Sequence, residues 1–141
     1  MFREWYQKGY LTTQKLYGAY TSGLFTSTDE VKSYMSQSMK RYRPVAETSG
    51  DNIQLTYMTG QGSEGVLYSF SRLDGSLYSV IDTERSVNRG LVIDYLKKHY
   101  TLVSADEANL QYCFTNQEKS MVITTMKVSD SYFNVNYSLV Y

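Results

Sequence analysis

The chain has 141 residues, 42% hydrophobic and 20% charged, with one Pro and 9 Gly; this is the size and make-up of one folded domain and excludes a disordered or collagen-like chain. Lys plus Arg and Asp plus Glu number 14 each, so no net field draws in phosphate backbones or anionic lipid, which argues against nucleic acid as a partner. The single cysteine, Cys113, excludes an internal disulfide and any Cys-rich metal centre.

Residues 1–25, with Trp5, Tyr6, Tyr10, Leu11, Leu16, Tyr17 and Tyr20, read as an N-terminal segment holding a short helix and an edge strand. Ser27-Thr-Asp-Glu30 has the spacing of a capping box, and Val31, Tyr34, Met35, Met39 and Tyr42 then recur at three- and four-residue steps. That pattern predicts an amphipathic helix running to Arg43, where Pro44 disfavours helical geometry in the residue before it. The cluster Lys40-Arg41-Arg43 then sits at the negative pole of the helix, which accounts for it without a ligand.

From there the period changes to two. Ile53, Leu55 and Tyr57 form one alternating set, Val66, Tyr68 and Phe70 a second, and Leu77, Ser79 and Ile81 a third. Asp74-Gly75 supplies a hairpin turn between the last two, and Gly60 to Gly65 a looser one before them. A second helix covers Leu91, Val92, Tyr95, Leu96 and His99 on one face, with Asp94, Lys97 and Lys98 opposite. Three more strands follow, with Leu110, Tyr112 and Phe114 in phase, then Val122, Thr124, Met126 and Val128, then Phe133, Val135, Tyr137, Leu139 and Tyr141.

The pattern repeats. Val31-x-x-Tyr34-Met35 returns as Val92-x-x-Tyr95-Leu96, and Val45, Ile53, Leu55 and Tyr57 return as Val103, Leu110, Tyr112 and Phe114; a period of about 60 residues is too long for a solenoid. The expected fold is α+β, a single domain over 1–141. In it two tandem helix-then-antiparallel-strands units, 26–84 and 85–141, build one sheet with both helices on one face.

Gly23-Leu-Phe-Thr-Ser-Thr-Asp-Glu-Val31, and the pair Leu67-Tyr-Ser-Phe70 and Ser76-Leu-Tyr-Ser-Val80, resemble the first-helix entrance and a hairpin of exported bacterial domains of the beta-lactamase-inhibitor-protein-like type. The resemblance spans residues 23–141. It implies tandem αβ units, export, and protein binding through the open face of the sheet, and it implies no catalytic residue.

Chemistry is sparse. His99 is the one histidine, so any Ser-His-Asp or Cys-His arrangement must use it. Its place on the apolar stripe beside Tyr95 and Leu96 reads as structural, and Cys113 is out of phase with Tyr112 and Phe114. Gly60-Gln-Gly-Ser-Glu-Gly65 spells a dinucleotide fingerprint, but a β-patterned run follows it where a phosphate site needs a helix start. Asp51, Glu64, Asp74, Asp82, Glu84, Asp106, Glu107, Glu118 and Asp130 read mainly as loop carboxylates without calcium-loop spacing. Asn136-Tyr-Ser138 is a glycosylation sequon inside a strand.

The unusual number is the 15 tyrosines. Tyr78 and Tyr132 fall against the apolar phase and are the candidate partner-binding residues of an open sheet face. The reading is a non-catalytic module, without cofactor or metal, that binds a protein or glycan through a Tyr-rich open face. The alternatives are a small hydrolase or transferase using His99 or loop carboxylates, and a self-associating structural subunit. No run of about 18 apolar residues is present to span a membrane, and Met1 to Lys8 lacks the apolar segment of a leader. The chain is thus expected in the cytoplasm, or at the periplasm or cell surface as a mature form.

Overall fold

The computed structural model describes residue 2, the backbone of 15–16 and 19–20, and residues 27–60, 64–117 and 119–139. The expected short helix and edge strand of the first 25 residues lie mostly outside these. Lys15–Leu16 does pair with Ala19–Tyr20, but as a ribbon separate from the main sheet rather than as its edge.

Helix α1 spans Thr28–Ser38. Its start is the expected one: the Ser27 hydroxyl accepts the Glu30 N–H at 3.3 Å, and Asp29 and Glu30 occupy the first turn, where carboxylates meet the positive end of the dipole. Val31, Met35 and Met39 are buried, and enclosing each such side chain is worth about 1.5–3 kcal/mol. The helix stops earlier than its pattern indicates, with Met39 N–H closing on Met35 O. Tyr42 and Pro44 belong instead to a strand, β1 (Tyr42–Ser49). Strands β2 (Asn52–Thr59), β3 (Gly65–Ser71) and β4 (Leu77–Arg85) follow as an antiparallel meander. Asp74-Gly75 makes the β3–β4 turn as expected. Gly75 adopts φ 72°, open to glycine at no steric cost, and the Asp74 carboxylate accepts from Ser76 N–H and Oγ–H, which lowers its pKa.

A 3₁₀ turn, Ser86–Asn88, leads into α2 (Arg89–His99), after which come β5 (Thr101–Asp106), β6 (Gln111–Thr115), β7 (Met121–Lys127) and β8 (Tyr132–Leu139). All eight strands form one antiparallel sheet in the order β1-β2-β3-β4-β8-β7-β6-β5. The β6–β7 turn is pinned by Asn116, only 2% exposed, whose Oδ1 accepts from Ser120 N–H and Met121 N–H.

Both helices lie on the same face. Tyr68 donates to Met35 Sδ at 3.7 Å, which puts α1 over β3. Arg89 stacks over the Phe133 ring at 5.7 Å and Lys97 over Tyr112 at 5.5 Å, which puts α2 over β8 and β6. The ladder runs Tyr68 to Val80 to Tyr137, and Tyr137 shares a face with Phe133, so these contacts are on one side. The buried residues of both helices and of this face form one core cluster.

Two strand phases differ from the expected ones. In β4 the register shifts by one residue at Tyr78, so after Leu77 the buried residues are Val80, Asp82 and Glu84, not Ser79 and Ile81. In β7 the buried set is Met121, Ile123 and Thr125, while Val122, Thr124 and Met126 face outward. Leu110 is not in a strand but in the β5–β6 turn, with φ 55°.

Candidate functional site: the open face of the sheet

The face away from the helices is assembled from the residues between the buried ones. Leu67, Ile81 and Thr83 from β3 and β4 meet Asn134 and Asn136 from β8, with Val122 beyond, and all six are partly exposed. Thr83 Oγ1 donates to Asn134 Oδ1 at 2.8 Å across the strands. A shallow depression of about 320 Å³ covers Leu67, Ile81, Thr83 and Asn134. Of the residues lining it only Glu64, which meets Arg41, is charged. Aliphatic groups set among amides and hydroxyls suit a flat partner held by contact area and a few hydrogen bonds.

Among the described residues most of the sheet's tyrosines lie away from this face. Tyr57, Tyr68 and Tyr137 are buried under the helices, and Tyr112 packs against the same core. A tyrosine ring yields its large apolar area only when covered, and the helices supply that cover. Tyr78 is the extra residue of the β4 irregularity, while Tyr132, in phase with Asn134 and alternating with buried Phe133, lies on the open face opposite Arg85. The length of β4 separates them, about 20 Å at roughly 3.3 Å per residue, so they stand towards opposite ends of the sheet.

A larger groove, about 680 Å³, opens between α1 and β1. Met35, Tyr42, Leu55 and Tyr57 form its floor, and at its mouth Lys32 Nζ meets Glu47 Oε1 at 2.6 Å. The Glu47 hydrogen bond raises the Lys32 pKa. With both charges exposed and satisfied by each other, the groove offers apolar area and no net charge.

His99 is exposed at the end of α2, its ring tilted against Tyr95 with centroids 4.4 Å apart. The buried stripe of the helix is Val92, Ile93 and Leu96, with Tyr100 just beyond it, and Leu91 is 43% exposed. His99 is therefore a surface residue, not the core residue its spacing suggests. Cys113 pairs with Thr124 on the open face, so the sheet stands between thiol and imidazole. Replacing His99 by Gln is expected to change the unfolding free energy by less than about 1 kcal/mol, the usual range for a surface position. Urea denaturation measures it.

The Gly60–Gly65 segment joins β2 to β3, with Thr59 N–H donating to Glu64 O and a strand following it. Glu64 ties this turn to the start of β1, with Arg41 at 3.6 Å and the Tyr42 hydroxyl at 3.5 Å. Most of the other carboxylates are exposed, and Glu118 lies outside the described residues. Asp82 and Glu84 are the exception, 0% and 1% exposed on the helix side of β4. Burial opposes the ionisation of Glu84, but hydrogen bonding with Asp82 and with the Phe2 N–H brings its pKa below the ordinary 4.5. A depressed folded pKa contributes stability that is fully present above the unfolded value and is lost as pH falls through the folded one. Glu84→Gln is expected to flatten the loss of stability between about pH 5 and pH 3, read by urea titrations at each pH. An unchanged acid limb would show that Glu84 is not its source.

Among the described residues no group of three or more His, Cys, Asp or Glu side chains is placed to hold a metal, and no helix is long and apolar enough to cross a membrane. The chain matches no family model, no curated protein and no solved structure.

Proposed function

We propose that the chain is a non-catalytic binding module that holds a protein or glycan partner against the open face of its sheet. The observation that carries this reading is the one-sided cover: both helices pack on one face, and the centre of the other is a partly exposed, uncharged surface of Leu67, Ile81, Val122 and the Asn134–Asn136 amides. Depletion of charge at the centre of a surface, with aliphatic and amide groups side by side, is how interface cores are composed.

We further propose that the module consists of two tandem units related by an approximate two-fold axis through the β4–β8 pair. The register supports this. Outward from Ile81 the ladder runs through Leu67 and Thr56 to Ala46, and outward from its partner Asn136 it runs through Thr124 and Cys113 to Ser104. The same one-residue irregularity sits beside the last residue on each side, at Val45 and at Val103. The helices close alike, Met39 N–H on Met35 O and Tyr100 N–H on Leu96 O. Tandem αβ units with a bare sheet face are what the resemblance to beta-lactamase-inhibitor-protein-like domains implies, and export to the periplasm or cell surface belongs to the same proposal.

Panels of glycans and of immobilised proteins test the binding reading. Any ligand found is expected to lose at least about tenfold in affinity, roughly 1.4 kcal/mol, with Ile81→Arg or Thr124→Arg and to keep its affinity with His99→Gln. A ligand indifferent to both open-face variants would move the site elsewhere, and turnover abolished by His99→Gln would make the chain an enzyme.

A further inference from the structure

The two edges of the sheet differ in how they are protected. An edge strand offers unpaired backbone groups to any other strand, and proteins blunt it with proline, charge or a bulge. Strand β1 carries Arg43, Pro44 and Glu47, with Lys32 ion-paired to Glu47 beside it. Strand β5, Thr101-Leu-Val-Ser-Ala-Asp106, has no proline, glycine, lysine or arginine, and its one charge stands at the last residue. All six of its residues are exposed, with Leu102 at 44% and Val103 at 61%. Its one protective feature is the irregularity at Val103, and that turns an apolar side chain outward rather than a charged one.

We infer that β5 pairs antiparallel with β5 of a second copy of this chain, forming a two-fold symmetric dimer through the sheet edge. The distribution of charge selects a second copy as the occupant. The chain enters β5 from the last turn of α2, which carries Lys97, Lys98 and His99, and leaves it through Asp106 and Glu107. Antiparallel pairing sets the acidic exit of one copy beside the basic entrance of the other, and the two-fold axis makes this match twice. The acidic end is already ordered: Asp106 accepts from the Asn109 N–H at 3.3 Å and from Asn109 Nδ2 at 2.7 Å, with its side chain still exposed. Leu102 and Val103 supply the apolar contact between copies.

Two antiparallel strands related this way share an axis normal to the sheet. The helices of both copies then lie on one side, and the two open faces merge into one surface on the other. Two sites so joined would engage a repetitive partner more tightly than either alone, without any new contact. The dimer itself does not rest on the binding reading and stands or falls separately.

Sedimentation equilibrium of the full chain, from about 1 to about 500 µM at low and at high salt, tests it in the range expected of a small, charge-assisted interface. The expected result is a reversible monomer–dimer equilibrium that weakens with salt. Val103→Lys and Lys98→Glu should each weaken it by about tenfold or more with circular dichroism unchanged, and Lys98→Glu combined with Asp106→Lys should restore it. Asp106→Lys alone, at an exposed strand end, keeps the test open should Val103→Lys fail to fold. A chain that stays monomeric throughout, or a dimer indifferent to Val103, Lys98 and Asp106, overturns the inference.

Discussion

Replacing Tyr68 with Ala is expected to lower the unfolding free energy by about 3 to 5 kcal/mol, the cost of removing a large enclosed ring. Tyr68 is 0% exposed in the middle of β3, between Leu55 and Val80 in the ladder. Its ring stands edge-on to Tyr57 with centroids 6.4 Å apart, and its hydroxyl reaches Met35 Sδ. The same residue thus joins three strands to α1. Its burial also raises its pKa well above the ordinary tyrosine value, so the hydroxyl stays protonated at any working pH. Tyr68→Phe separates ring from hydroxyl and should cost about 1 kcal/mol or less, since a sulfur is a weak acceptor. A loss below about 1 kcal/mol for Tyr68→Ala, against the usual cost of such truncations, would place α1 off the sheet.

Leu96→Ala makes the matching test in the second half of the chain, with an expected loss of about 2 to 5 kcal/mol. Leu96 is 0% exposed, and with Val92 it carries the packing of α2 against the same cluster that holds Met35 and Tyr68. Because one cluster spans both helices, each variant should shift a single denaturation transition measured by fluorescence and by circular dichroism alike. Two separate transitions, with Leu96→Ala moving only one, would divide the chain into independent halves.

How far the sequence foretold these elements depends on how unequally each one's two faces are buried. The start of α1 was legible because a capping box is local chemistry, and β2, β3 and β8 were legible because the large apolar residues of each alternate onto the enclosed face. Strands β1 and β5 left almost no periodic signal: apart from Tyr42, neither face of either is buried. Strand β7 misled because Val122 and Met126 on the open face are as apolar as Met121 and Ile123 beneath the helix, while Thr125 is polar and buried. In α2 the apolar residues run wider than one stripe, so pattern alone favoured Leu91 and His99 over Ile93 and Tyr100. The candidate site followed the same logic. An open face was foreseeable from two helices and one sheet, but its composition was not, since tyrosine suits either side and only packing decided that most of the sheet's tyrosines went under the helices. Asp82 and Glu84 gave no sign of burial, because a carboxyl enclosed in the core has the same letter as a solvated one.

Thiol accessibility across β4 tests the one-sided cover of the sheet, on which the binding proposal stands. In a Cys113→Ser background, Ile81→Cys and Val80→Cys place a thiol at adjacent positions on opposite faces, with Val80 0% exposed and Ile81 partly open. The native Ile81→Cys protein is expected to react with a thiol reagent without denaturant, and Val80→Cys only as the chain unfolds. Equal protection of both would mean that something covers the open face, and equal reactivity would mean that the helices do not cover the other; either result contradicts the structure described.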